Sequence, residues 1–323
     1  MTIAMIQRGK YRMAFERLED FDRRVIGAIR FTSVVNGAPI SSALMVTPIA
    51  PPAGTPAPPE TVPPVRVMRN RMGLHVIHEA PGFRAYCAQF TPDPDAPANF
   101  SSRIWLRVND PSWQYFPSDF SVPLPRKLDT TRVLNEFLLE STFRPYEQKL
   151  FPSPIAPVAG GWAEVRVLVW REEDDPANPG SVRRVPVPGA LVRVVKPGVA
   201  RPLGRSFTEW RLFQKESFRS AAEALVPIAG IPTTTWSDEA DGAVLTNVTP
   251  VRIQVRYDRT FMSTDPEGST PSLERLDVNG PPFLQDVVGG EGPDPGQTLP
   301  LRAGAHRTLQ AIFDKNNAFH LET

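Results

Sequence analysis

Proline stands at 37 of the chain's 323 positions, spread among Val, Ile, Leu and Phe rather than gathered in one tail. Its ring fixes φ and removes a backbone donor, which excludes it from helix interiors and from the central ladders of a sheet. A chain punctuated this often cannot sustain long helices. The expectation is a mainly β protein with many turns and with prolines on edge strands. Short runs such as VIGAIRF, GLHVIHEA, RIWLRVND, VRVLVW and VRIQVRYD fit it, lying between Gly, Pro or Asp clusters. In the first half they recur about every ten residues, the spacing of an antiparallel sandwich or barrel.

A single core stops growing near ~250 residues, so two modules are expected in a chain of 323. Residues 1–20 read as an N-terminal arm, either extended or a short helix using Met5, Tyr11, Met13, Phe15 and Leu18. Residues 21–127 read as a first β-sandwich. In it Asn36-Gly37 turns Arg23–Phe31 into Ser41–Ile49, as a hairpin or an offset return. The prolines of 51–64 demand an extended, solvated loop. Residues 128–160 read as a linker, with a helix predicted over 128–142 on Val133, Leu134, Phe137 and Leu138. A second sandwich follows at 161–314 with a long loop at 262–298, and 315–323 is a C-terminal tail.

Within the second module, Ser181 to Val195 reads SVRRVPVPGALVRVV. Gly189 sets a turn, after which Ala190, Val192 and Val194 share one face and Leu191, Arg193 and Val195 the other. Arg183, Arg184 and Arg193 are expected to face water or a partner. The two modules also echo one another: VIGAIRF, NGAPISSALMV and NRMGLHVI in the first, VRVLVW, VPVPGALVRVV and SAAEALVPI in the second. A repeated strand–turn–strand plan of this kind predicts duplication of one fold unit.

The order built on Val187-Pro188-Gly189-Ala190, Val192 and Val194, followed by Glu223–Ile228, resembles the carboxypeptidase regulatory-like domain, which is also compared with transthyretin. The resemblance covers about a hundred residues of the second module and the first more loosely. Phe218-Arg219-Ser220-Ala221 replaces the family's Asp-x-x-Gly turn. It implies two immunoglobulin-like or transthyretin-like β-sandwich domains, and scaffold or adhesion rather than chemistry. The wider plan, with NDPSWQYFPSDFSVPLPR closing the first module and LFPSPIAP leading into the second, is similar to that of proteins of phage-tail-like contractile injection systems.

The residues themselves point away from catalysis. A net charge of +1 supplies no field for nucleic acid or an anionic membrane. No run reaches the ~20 apolar residues of a membrane helix, and Arg8, Lys10, Arg12 and Glu16 break up any signal-peptide core, so synthesis without a signal peptide in the cytoplasm is expected. Cys87, the only cysteine, reads as a buried thiol among Tyr86, Ala88 and Phe90. His75 and His78 lie three apart on a strand and so face opposite ways, while His306 and His320 have no local ligand pattern. Gly204–Phe207 is half of a nucleophile elbow, and phosphate-cradling glycine motifs are missing. The carboxylates of Glu172–Asp175, Asp265, Glu267, Glu291 and Asp294 lack the alternating register of a calcium loop. No cofactor or metal is therefore expected, and no enzymatic activity.

Aromatic residues supply the functional hint. Trp113, Tyr115 and Phe116 crowd one proline-bounded segment, and Trp210, Arg211 and Phe213 crowd another. With Tyr11 and Phe15 of the arm they form the candidate interface set, because aromatics and arginine dominate the cores of protein interfaces. The expected role is a structural subunit that docks onto other subunits of a large assembly, including copies of itself. A free binding module that takes a carbohydrate or peptide on its loops is the alternative.

Overall fold

A computed structural model describes residues 5–8, 11–14, 27–50, 65–79, 102–124, 145–199, 201–209, 222–229, 231, 235–236, 244–245, 248–263, 271, 273–277, 286–293 and 297–322. The first strands are β1 (Met5–Arg8), β2 (Tyr11–Ala14), β3 (Gly27–Ser33), β4 (Met45–Pro48), β5 (Arg66–Arg69), β6 (His75–Glu79), β7 (Ser102–Asn109), β8 (Ser118–Leu124) and β9 (Tyr146–Leu150). Then come β10 (Ala163–Asp174), β11 (Val182–Pro186), β12 (Leu191–Val195), β13 (Gly204–Phe207), β14 (Ala222–Ile228), β15 (Thr235–Trp236) and β16 (Val244–Leu245). The series ends with β17 (Thr249–Asp258), β18 (Val287–Gly292), β19 (Leu299–Leu301), β20 (His306–Phe313) and β21 (Phe319–Glu322). The described helices are two short ones, Arg259–Ser263 and Leu273–Leu276, so the protein is mainly β and built of several sheets.

The chain divides into two compact units, one of 1–28, 52–104 and 123–145, the other of 29–51, 105–122 and 146–323. In the first, β1 and β2 pair antiparallel from Met5 opposite Ala14 to Arg8 opposite Tyr11. Of the two forms open to the arm, the backbone here is the extended one. β5 and β6 form a second hairpin. Its turn is held by the Asn70 side chain, which accepts from the amides of Met72 (3.0 Å) and Leu74 (2.9 Å). The proline-rich segment 51–64, Cys87 and the helix predicted over 128–142 lie outside the described residues.

The second unit holds two five-stranded sheets. One runs β11-β10-β20-β21, with β14 also on β10; the other runs β13-β12-β17-β18, with β19 also on β17. Alternation explains the core between their inner faces. Ala163, Val165, Val167 and Val169 of β10 turn inward, as do Val192 and Val194 of β12 and Val251, Ile253, Val255 and Tyr257 of β17. They join Ala224, Val226 and Ile228 of β14 and Leu309, Ala311 and Phe313 of β20 in one cluster. Each fully buried Val or Ile in it contributes about 1.5–3 kcal/mol of transfer free energy.

Both margins of this core are closed over glycine. A Cβ on Gly204 of β13 would collide with Val226 and the Pro227 carbonyl of β14, and one on Gly290 of β18 would overlap Phe319 of β21. Pro48 lies in β4, Pro227 in β14 and Pro300 in β19, all edge strands, whereas Pro250 lies near the start of β17, a strand that is central to its sheet further along.

Where a hairpin or an offset return was expected around Asn36-Gly37, the chain makes a short return. Ile40 donates to Phe31 (3.0 Å), and the chain then leaves for β4, which pairs with β7. β3 instead pairs in parallel with β9, from Ile29 opposite Tyr146 to Ser33 opposite Leu150. β10 makes the same kind of parallel pair with β20, from Glu164 opposite His306 to Arg171 opposite Phe313. β9 lies in the stretch read as linker, β18 in the stretch read as a long loop, and β21 in the stretch read as a tail. All three are edge strands whose order comes from distant partners rather than from their own pattern.

Gly290→Ala, which forces Phe319 and β21 away from β18, is expected to lower stability by about 1–3 kcal/mol in urea unfolding.

Candidate protein-contact site

The segment Asp110–Pro117 joins β7 to β8, and its base is clamped by Arg107 and Asp119. Arg107 Nε and Nη2 donate to the two carboxylate oxygens at 2.6 Å each, and this hydrogen bond holds the guanidinium pKa above its ordinary value. Asp110 organises the loop. One carboxylate oxygen accepts from the Ser112 amide (3.0 Å) and hydroxyl (2.6 Å), the other from the amides of Gln114 (3.0 Å) and Tyr115 (3.1 Å). The Asp110 carbonyl accepts from the Trp113 amide at 3.0 Å. Asp110 is only 4% exposed, so these donors make up for the water its carboxylate has lost.

This scaffold holds Trp113 at φ 62°, in the left-handed region where a large side chain is strained. A conformation costing about 1–2 kcal/mol persists only where its surroundings over-determine it. A second tether comes from Ser153, whose hydroxyl donates to the Trp113 carbonyl. The same hydroxyl accepts the Ile155 amide at 3.3 Å. Trp113 is 44% exposed and Ile155 67%, so one serine ties the backbone of two large, exposed apolar residues.

The loop is hooked to the chain beyond β9. Phe116 donates to the Phe151 carbonyl (2.9 Å) and Ser153 to the Gln114 carbonyl (2.9 Å), flanking a bridge between Tyr115 and Pro152. The Pro152 carbonyl in turn accepts the Ser206 hydroxyl of β13 at 2.8 Å. Phe151 packs edge-on against Phe207 with centroids 4.8 Å apart, and Arg205 lies over the Phe151 ring. Beside the loop, Tyr115, Pro39, Pro152, Pro157 and Trp162 line a cleft of about 150 Å³. Burial raises the Tyr115 phenol pKa, against an opposing hydrogen bond to Ser33.

Compared with protein-family models, curated proteins and solved structures, the chain matches none.

Of the predicted interface set, the structure brings Trp113, Tyr115 and Phe116 together on one loop with three different fates. Trp113 is exposed, Tyr115 is half-buried at the cleft, and Phe116, 2% exposed, packs with Phe151, Leu191 and Phe207. Tyr11 lies on β2, while Phe15, Trp210, Arg211 and Phe213 lie outside the described residues. Sequence reasoning passed over Asp110, Ser153 and Ile155. Asp-Pro-Ser at 110–112 carries the signal of an Asx turn, but nothing local in the sequence joins Ser153 to Trp113.

Asp265, Glu267 and Asp294 lie outside the described residues, and several of the other candidate groups have structural partners. Glu172 and Glu173 face Arg184 and Arg183 across β10 and β11, at 3.6 and 3.3 Å, and Asp174 meets Lys315. Asp175 caps the connecting turn by accepting from the Ala177 amide (2.9 Å) and the Asn178 side chain (2.8 Å). His306 Nδ1 lies 3.1 Å from Glu164, and His75 is buried in β6. Among the described residues no three His, Cys, Asp or Glu side chains gather to hold a metal ion, and no helix is long and apolar enough to cross a membrane.

The roles of the two loop residues separate by mutation. Asp110→Ala strands four donors and is expected to lower stability by about 2–3 kcal/mol. Trp113→Gly releases the left-handed strain, so its unfolding midpoint in urea should equal or exceed that of the unaltered chain.

Proposed function

We propose that the protein is a non-enzymatic structural subunit that docks onto other subunits of a large assembly, with the Trp113 loop as a principal contact. The observation that carries this reading is the pairing of strain with exposure. A tryptophan held in an unfavourable conformation, tied by Asp110 and Ser153, is 44% exposed, and Ile155, tied to the same serine, is 67% exposed. A rigid aromatic loses little entropy on contact, and tryptophan is enriched among residues that dominate binding energy.

The fold belonging to this proposal is a tandem of transthyretin-like β-sandwiches related by duplication. Its support is the repeated parallel pairing of an early strand with a late one, β3 with β9 and β10 with β20, added to the repeated sequence plan. Tandem sandwiches have two ends and several edges on which to hold partners, and need no reactive group to do so. The likeness of the sequence to proteins of phage-tail-like contractile injection systems supports a particle of that kind, into which the chain, made in the cytoplasm, is incorporated.

Sedimentation of the tagged chain from its native source tests the proposal. The unaltered chain is expected in a megadalton fraction, while folded Trp113→Gly and Ile155→Asp variants shift to the monomer position. A chain that stays monomeric, binds glycan and loses that binding in Trp113→Gly is instead the free binding module, and the docking role fails.

A further inference from the structure

The outward face of the β12–β17–β18 sheet carries a second feature. Arg252, Gln254 and Arg256 alternate with the core residues of β17 and so share its outer side, and Arg193 on β12 lies in register with Gln254. With Lys196 and Glu291 they line a pocket of about 330 Å³, a size that suits a small molecule. Among the described residues, four cationic side chains therefore stand around it against one carboxylate.

Among the described residues, the acids nearby are already engaged. Glu291 accepts from Gln254 Nε2 at 3.0 Å through one oxygen and pairs with Arg252 Nη1 at 2.7 Å through the other. Asp277 is divided between Arg205, bonded to one oxygen, and Arg193, whose Nε stands 3.5 Å from the other. Arg193 is 4% exposed, yet its Nε finds no hydrogen-bond acceptor among the described residues, and neither does the buried Nε of Arg252. Arg256, 9% exposed, lies across Gly289 and reaches the Leu276 carbonyl at 3.5 Å. Burial, followed by the neighbouring charge of Arg193, lowers its pKa from the ordinary arginine value.

A buried guanidinium that must share its counter-ion, as Arg193 shares Asp277 with Arg205, is costly, and the group that relieves it best is an oxyanion. A carboxylate or phosphate accepts two parallel N–H bonds from one guanidinium fork and adds the missing negative charge. We propose that this pocket binds a small oxyanionic ligand, a carboxylate- or phosphate-bearing molecule, held by Arg193, Arg252 and Arg256 with Lys196 at the rim.

Calorimetry on the full chain at low ionic strength, with inorganic phosphate and with citrate, tests the site. Saturable binding of at least one is expected, weaker in added salt. Arg252→Gln should weaken it about tenfold or more, the loss of one charge-assisted hydrogen bond. Lys196→Glu at the exposed rim, which leaves the buried arginines in place, should weaken it as well. Arg183→Gln, on the opposite sheet, should not change it. No binding of either anion at millimolar concentration, or binding indifferent to both pocket variants, overturns the proposal. So does binding of a glutamate-rich peptide, sensitive to Arg252→Gln, when neither small anion binds, because the occupant is then a partner's acidic segment.

Discussion

Strand β12 is covered on both faces, and much of the second unit's organisation follows from that. Val192 and Val194 enter the core between the two sheets, while Leu191 on the reverse side packs with Phe207, its neighbour on β13, and with Phe116 and Leu276. A strand covered on both sides cannot rotate or slip by one residue without exchanging its two apolar sets, so it fixes the register of its neighbours. The turn that delivers it is equally constrained. Gly189, at φ 68°, has no room for a Cβ beside Phe261 and Pro271, and the Thr208 hydroxyl bonds to both Ala190 and Val187.

The outer cover also explains why the Trp113 loop is rigid. Phe116 and Phe151, either side of the bridge that hooks the loop, are members of the cluster on Leu191. Displacing the loop therefore exposes aromatic core as well as breaking hydrogen bonds. Further along the same strand the cover changes from aromatic rings to guanidinium groups. One sheet face thus carries an apolar seat for a loop and a basic pocket, separated by the step from Leu191 to Arg193.

Several features were legible in the residues alone. Prolines predicted a β protein with proline-bearing edges, and the Ala190, Val192, Val194 alternation predicted which side of β12 enters the core. Arg193 was expected to face water or a partner, and of these water is excluded, since the residue is 4% exposed. It lies on the predicted side, but that side is covered by residues from elsewhere in the chain, a fact alternation cannot carry. β9 and β21 were missed for the same reason, since YEQKL and FHLE are half-exposed edge strands with no strong pattern. At the candidate site, the aromatic crowding of 113–116 was visible. The division of labour among Trp113, Tyr115 and Phe116 was not, because it depends on Ser153 some forty residues away.

The parallel pair of β10 and β20 sets a schedule as well as a shape. Glu164 and His306 are separated by 142 residues, so at ribosomal speeds β10 waits about 7–30 s for the strand that covers one of its edges. During that interval β11 and β14 protect the other edge only. A nascent chain of this topology presents an open, valine-rich strand to its surroundings until its last strands emerge. Its yield in a cell is therefore governed by what guards that edge in the meantime as much as by the stability of the finished fold.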